Sequence, residues 1–148
     1  MEKKMIMKID RMKPLNPKEM NALTLAYIGD AVYELYIREF ILSKGGKPNV
    51  LHKQVISYVS AKAQSRVLHY IMPLLTEEEA DIVKRGRNTK SSTVPKNANV
   101  IEYRHSTAFE ALIGFLYLSH QIDRLEQIVF EAIQYNDKRQ DGEENGQK

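Results

Sequence analysis

At 148 residues, 43% hydrophobic and 28% charged, the chain is long enough to bury one sizeable core and too apolar for intrinsic disorder. It contains no cysteine, which excludes disulfides and thiolate metal sites and suits a reducing cytoplasm. The net charge is only +3, but it is unevenly distributed along the chain.

Residues 1–15 read as an N-terminal arm. Charge interrupts the opening Met1-Glu2-Lys3-Lys4 stretch too often for a signal-peptide core. The apolar run at 112–118 is far shorter than a membrane span. A soluble, untargeted, cytoplasmic protein is expected. Asn16-Pro17-Lys18-Glu19 then combines an N-cap, a proline at the first helical position and a glutamate three residues on, which predicts a helix start. Met20, Leu23, Tyr27, Ile28, Ala31, Leu35 and Ile41 follow at roughly helical spacing until Gly45-Gly46-Lys47-Pro48 stops the helix.

A second helix is predicted from Asn49 through Leu51, Val55, Val59, Ala63 and Val67 to Met72, with Pro73 ending it. Thr76-Glu77-Glu78-Glu79 is a capping box opening a short helix that Gly86 closes. After a polar loop, a helix is expected around residues 106–118. Asp123 with Glu126 caps a last amphipathic helix through Leu125, Ile128, Val129, Ala132 and Ile133. From Asp137 to the end the composition turns polar and predicts a disordered tail. No period-two stretch with turn signals occurs, so the expected fold is all-α, one domain over residues 16–136.

The segment from Lys84 to Arg104 concentrates the positive charge. Lys84, Arg85, Arg87, Lys90, Lys96 and Arg104 stand against Glu102 alone, with Asn88 among several added hydrogen-bond donors. Such a segment can contact phosphates through both charge and hydrogen bonds; on composition alone a solvated surface loop accounts for it equally well. Tyr103, beside Arg104, can touch ribose or a base, and a packing role accounts for it more simply.

Two segments place an acid and a glycine inside apolar, helix-forming sequence: Tyr27-Ile28-Gly29-Asp30-Ala31-Val32 and Phe109-Glu110-Ala111-Leu112-Ile113-Gly114. A glycine inside a helix costs about 1 kcal/mol relative to alanine, so a packing or functional reason is expected for each. Gly29 and Gly114 leave room for another backbone or a substrate. If the helices cross, Asp30 and Glu110 converge, and two carboxylates suit magnesium, which keeps several waters and takes substrate phosphate oxygens. From spacing alone, exposure on the polar faces of two amphipathic helices explains the acids more simply. The four histidines show no metal-binding spacing, and His105 reads as an ordinary helix-start residue. Ser57, Ser60 and Ser65 lack a nucleophile elbow, and no glycine-rich phosphate cradle is present.

Leu25-Ala26-Tyr27-Ile28-Gly29-Asp30-Ala31-Val32 resembles the signature of the ribonuclease III catalytic domain, E-x-x-E-F-L-G-D-A/S-V/I. Thr107-Ala108-Phe109-Glu110-Ala111-Leu112-Ile113-Gly114 resembles its second acidic motif, D-x-x-E-A-L-I-G. The order and interval agree, over roughly residues 20–136. The size, the Gly-Asp-Ala-Val-Tyr-Glu wording and Arg85-Gly86-Arg87-Asn88 most resemble the short bacterial branch that matures the large ribosomal RNA without a double-stranded-RNA-binding domain.

The resemblance implies a ribonuclease III-like helical bundle and a magnesium-dependent endoribonuclease, with manganese a possible substitute. It would cut double-stranded RNA to 5′-phosphate and 3′-hydroxyl ends as a homodimer, each copy cutting one strand. Its substrate would be the 23S rRNA precursor, with a large-subunit ribosomal protein as a possible helper and no membrane partner. The implied ligands and catalytic residues are Asp30 and Glu110. The family's other acids fall on Leu23, Ala26 and Thr107, so a four-carboxylate cage is not implied. Glu34 and Thr107 remain candidates for support behind the ligands, and the basic segment becomes the candidate RNA contact. The alternative is an inactive duplex-RNA-binding or ribosome-assembly protein with the same fold.

Overall fold

The computed structural model describes residues 13–89 and 98–146. Six helices make up its architecture: α1 (Ala22–Ser43), α2 (Pro48–Val59), α3 (Ala61–Ile71), α4 (Glu77–Asn88), α5 (Val100–Leu118) and α6 (Ile122–Gly146). Short 3-10 turns at Pro17–Glu19 and Met72–Leu74 complete it. Among the described residues there are no strands, so the all-α expectation holds. None of these helices is long and apolar enough to cross a membrane.

The bundle is built around α5, which touches α1, α3, α4 and α6. Every residue from Ser106 to Leu116 except Glu110 is buried, as expected of a helix apolar on all sides. Its tightest partner is α1. A Cβ added to Gly29 would stand 1.7 Å from the Glu110 carbonyl oxygen, and one added to Gly114 would stand 1.9 Å from that of Leu25. The two helices therefore meet backbone to backbone, each glycine admitting the other chain.

This contact also explains why α1 is rotated from its predicted orientation. Its inward face is Ala22, Leu25, Ala26, Gly29, Tyr33, Ile37 and Ile41, while Leu23, Tyr27 and Leu35 are exposed at 41%, 79% and 60%. Close approach at Gly29 fixes which stripe of α1 faces α5, and Leu23, Tyr27 and Leu35 fall outside it. The helix also begins later than predicted. Asn16 and Pro17 form a separate turn, and the Asn21 side chain caps α1 by accepting from the Thr24 amide at 2.8 Å.

Four further differences have local causes. The predicted second helix is two, broken at Ser60, whose extended ψ of 156° and side-chain bond from the Ala63 amide start α3 afresh. The Thr76–Glu79 capping box is present, but α4 continues through Gly86 to Asn88. Gly86 is a packing residue, since a Cβ there would lie 2.5 Å from Ala108 Cα. Asn99 caps α5 and starts it at Val100, which places Tyr103 and Arg104 on a helix. α6 begins at Ile122, with Asp123 inside its first turn, and continues past Asp137. There Tyr58 donates to the Asp137 carboxylate and Gln140 donates to Ser57 at 3.3 Å, binding the expected tail to α2.

α4 and α6 are joined by an ion pair. Arg124 grips the buried Glu79 carboxylate through two hydrogen bonds of 2.8 Å, the bidentate geometry that guanidinium suits.

Gly29→Ala should lower unfolding stability by at least about 3 kcal/mol, the upper range for overpacking, because backbone on both sides blocks relief. Urea unfolding checks this, with Gly142→Ala, where a Cβ meets open space on a helix and should not destabilise, as the comparison.

Candidate functional site

Asp30 follows the glycine of α1 that touches Glu110's own carbonyl, so the helix crossing carries both acids to one place. Asp30 is exposed and Glu110 half-buried beneath it. Burial above all, then the charge of Asp30 and a hydrogen bond between the two side chains, push the Glu110 carboxyl up from 4.5 to about 8. Two carboxylates this close cannot both ionise freely without a cation between them. Gln64 of α3 acts in the opposite sense, donating from Nε2 to Glu110 Oε2 at 3.4 Å.

The other candidate ligand supports, each one turn from its acid, have partners of their own. Glu34 pairs with Arg38, one turn along α1, at 2.6 Å. The Thr107 hydroxyl donates to the Tyr103 carbonyl of its own helix at 3.0 Å. Among the described residues no group of three or more histidines, aspartates or glutamates is placed to hold a metal. The acids form a pair, and only a cation that takes its remaining ligands from water or substrate suits them. Magnesium is of that kind; a closed zinc site is not.

The basic residues divide. Lys84, Arg85, Arg87 and Asn88 lie on the last two turns of α4, and Arg104 lies on α5 rather than in a loop. Lys84, Arg85, Asn88 and Arg104 are exposed. Arg85 is tied down, donating from one terminal nitrogen to the Met20 carbonyl at 2.5 Å. Lys90 and Lys96 lie outside the described residues.

Polar groups that the sequence reading passed over form a seam between α3 and α5. Ser106 Oγ donates to Gln64 Oε1 at 3.0 Å. His105 Nδ1 lies 3.1 Å from Ser65 Oγ, and its ring meets that of His69 edge to face at 4.7 Å. Burial, then His69, then Arg87 hold His105 below the usual histidine range. The available sequence signal was weak: Gln64 and Ser65 interrupt an otherwise apolar helix face, and Ser106 stands one turn before Glu110.

Known proteins resemble this chain over most of its length. The model of the Ribonuclease III domain matches residues 23–121. The chain belongs to the ribonuclease III family and is an endoribonuclease. Within that family its relatives carry the name Mini-ribonuclease 3. That of Brevibacillus brevis is 54% identical over 119 residues, 80% of this chain and 89% of its own. That of Symbiobacterium thermophilum is 46% identical over 130 residues, 87% of this chain and all of its own. A crystal structure of a Fusobacterium nucleatum protein superposes with a TM-score of 0.72 at 38% identity, covering 78% of this chain and 93% of that one.

The raised Glu110 carboxyl has a consequence for stability. Between pH values of about 4.5 and about 8 the folded chain retains a proton that the unfolded chain has released, so stability falls as pH rises through that window. In cation-free buffer the thermal midpoint of the wild type should decline over this range more steeply than that of Glu110→Gln. Parallel pH profiles would show that the folded protein does not hold this proton.

Proposed function

We propose that this endoribonuclease cuts double-stranded RNA in a magnesium-dependent reaction, with Asp30 and Glu110 as its metal ligands, and trims the 23S rRNA precursor in the cytoplasm. The observation that carries the reading is the convergence of two acids, eighty residues apart in sequence, on one side of the α1–α5 crossing. Family membership and the Mini-ribonuclease 3 names of its relatives support it independently.

Within that reading the chain's own groups have separable tasks. Asp30, at the surface, and Glu110, below it, offer hard oxygen donors, and Glu110 gives up its proton to admit a cation. Together they would hold a magnesium ion, which when bound would supply activation of the attacking water and neutralisation of charge on the leaving 3′ oxygen. Lys84, Arg85, Arg87, Asn88 and Arg104 meet the phosphates, with Lys90 and Lys96 assigned the same task. An A-form duplex presents its phosphates and 2′-hydroxyls rather than readable base edges, so the contacts recognise shape more than sequence. Products carry 5′-phosphate and 3′-hydroxyl ends. A large-subunit ribosomal protein is the proposed source of selectivity for the folded rRNA.

The proposal includes a homodimer. Its support is the outward face of α1, where Leu23, Tyr27 and Leu35 expose large apolar side chains on the helix that bears Asp30. A second copy covering that face brings two acid pairs to one duplex, one for each strand.

Asp30→Asn should abolish cleavage of a labelled RNA duplex while leaving helix content and duplex binding intact; chelator should do the same to the wild type. Binding without cleavage by the magnesium-loaded wild type would instead favour the inactive, duplex-binding alternative. Tyr27→Asp should shift the protein from dimer to monomer in sedimentation velocity. A wild type already monomeric at micromolar concentration would remove the dimer from the proposal.

A further inference from the structure

Gln64 is a costly residue where it stands. It is 1% exposed on α3, on the face where Val67, Leu68 and Ile71 fill the core. A buried amide needs hydrogen bonds to offset its lost hydration, and an apolar side chain of that size would pack there without them. Both ends of this amide are engaged by one helix. Ser106 Oγ donates to its oxygen at 3.0 Å, and its nitrogen donates to Glu110 Oε2 at 3.4 Å.

Ser106 and Glu110 are one turn apart on α5, so a single side chain from α3 reaches both. The hydroxyl sets the amide's sense. Turned over, Gln64 would present its carbonyl oxygen to a carboxylate, acceptor against acceptor. With the amide held as it is, the nitrogen binds one Glu110 oxygen and leaves the other for Asp30 and whatever lies between them. The long 3.4 Å contact has room to shorten once the site is filled, as hydrogen bonds in unliganded sites do.

We propose that Gln64, oriented by Ser106, is a positioning residue that presents the Glu110 carboxylate to a divalent cation. This rests on the reading of Asp30 and Glu110 as ligands. Neither Gln64 nor Ser106 is an acid, and neither touches the cation. They restrict Glu110, whose three side-chain torsions would otherwise have to be ordered at each binding event.

The test is Mn2+ binding to the full chain without RNA, followed by the electron paramagnetic resonance of free Mn2+. Gln64→Met keeps the volume and removes the donor; it should weaken binding about tenfold, the low end for loss of a group that orients a metal ligand. Ser106→Ala should weaken binding in the same direction by a smaller factor, although its hydroxyl touches neither acid. The double variant should bind no worse than Gln64→Met, because both changes break one linkage. Unchanged affinity in Gln64→Met, or losses that multiply in the double variant, would overturn the proposal. If Gln64→Met does not fold by circular dichroism, Ser106→Ala decides alone, and wild-type affinity there overturns it. Asp30→Asn separates the two layers: Mn2+ binding untouched by that change removes the ligand pair itself, and the positioning role with it.

Discussion

The contact between Gly29 and Gly114 governs the rest of the molecule. Helices with ordinary side chains keep their axes 8–10 Å apart, separated by the residues between them. Here each backbone lies where the other's Cβ would be, and a methyl group on either glycine would overlap a carbonyl oxygen. The acids are displaced from these glycines by one residue on α1 and by one turn on α5. Their separation is therefore a property of the main chain, which side-chain rearrangement cannot easily alter. Core packing around Tyr33 and Phe109, whose rings meet edge to face at 4.8 Å, supports the same crossing from the other side.

Electrostatics at this junction oppose folding and favour ligand binding. A carboxyl pushed up to about 8 by burial and a neighbouring acid is held at a cost to the cation-free fold. Entry of a positive charge relieves both causes together. The polar seam from Gln64 to Ser106 lies on the inner side of Glu110, where water cannot substitute for it. An otherwise apolar α3–α5 interface thus keeps one directed hydrogen-bonding group beside the acid.

Much of this was legible in the sequence because it depends on local chemistry. The two acid-plus-glycine segments, the Thr76–Glu79 capping box and the helical content each arise from neighbours a turn apart, and periodicity reports such neighbours well. The orientation of α1 was not legible. Leu23, Tyr27 and Leu35 form as good an apolar stripe as the true core face, and only the approach of α5 decides between them. Gly86 was misread for the same reason: a glycine near a helix end looks like a stop until Ala108 is seen against it. Ser60 and Asn99 act as caps, but their flanking sequences give no proline or glycine to mark the boundary. The partnership of Gln64 with Glu110 joins residues 46 apart, beyond the reach of any pattern within one helix.

The seating of Gly86 on Ala108 also joins two functions mechanically. The last turn of α4, with Arg87 and Asn88, rests on α5 two residues before Glu110, and Arg85 is moored to the Met20 carbonyl just ahead of α1. The groups proposed to hold RNA and the proposed ligand pair thus sit on helices packed directly against one another. Under the proposed function such a part behaves as a jig: the span from a held phosphate to the severed bond would be set when the helices pack, before any RNA arrives.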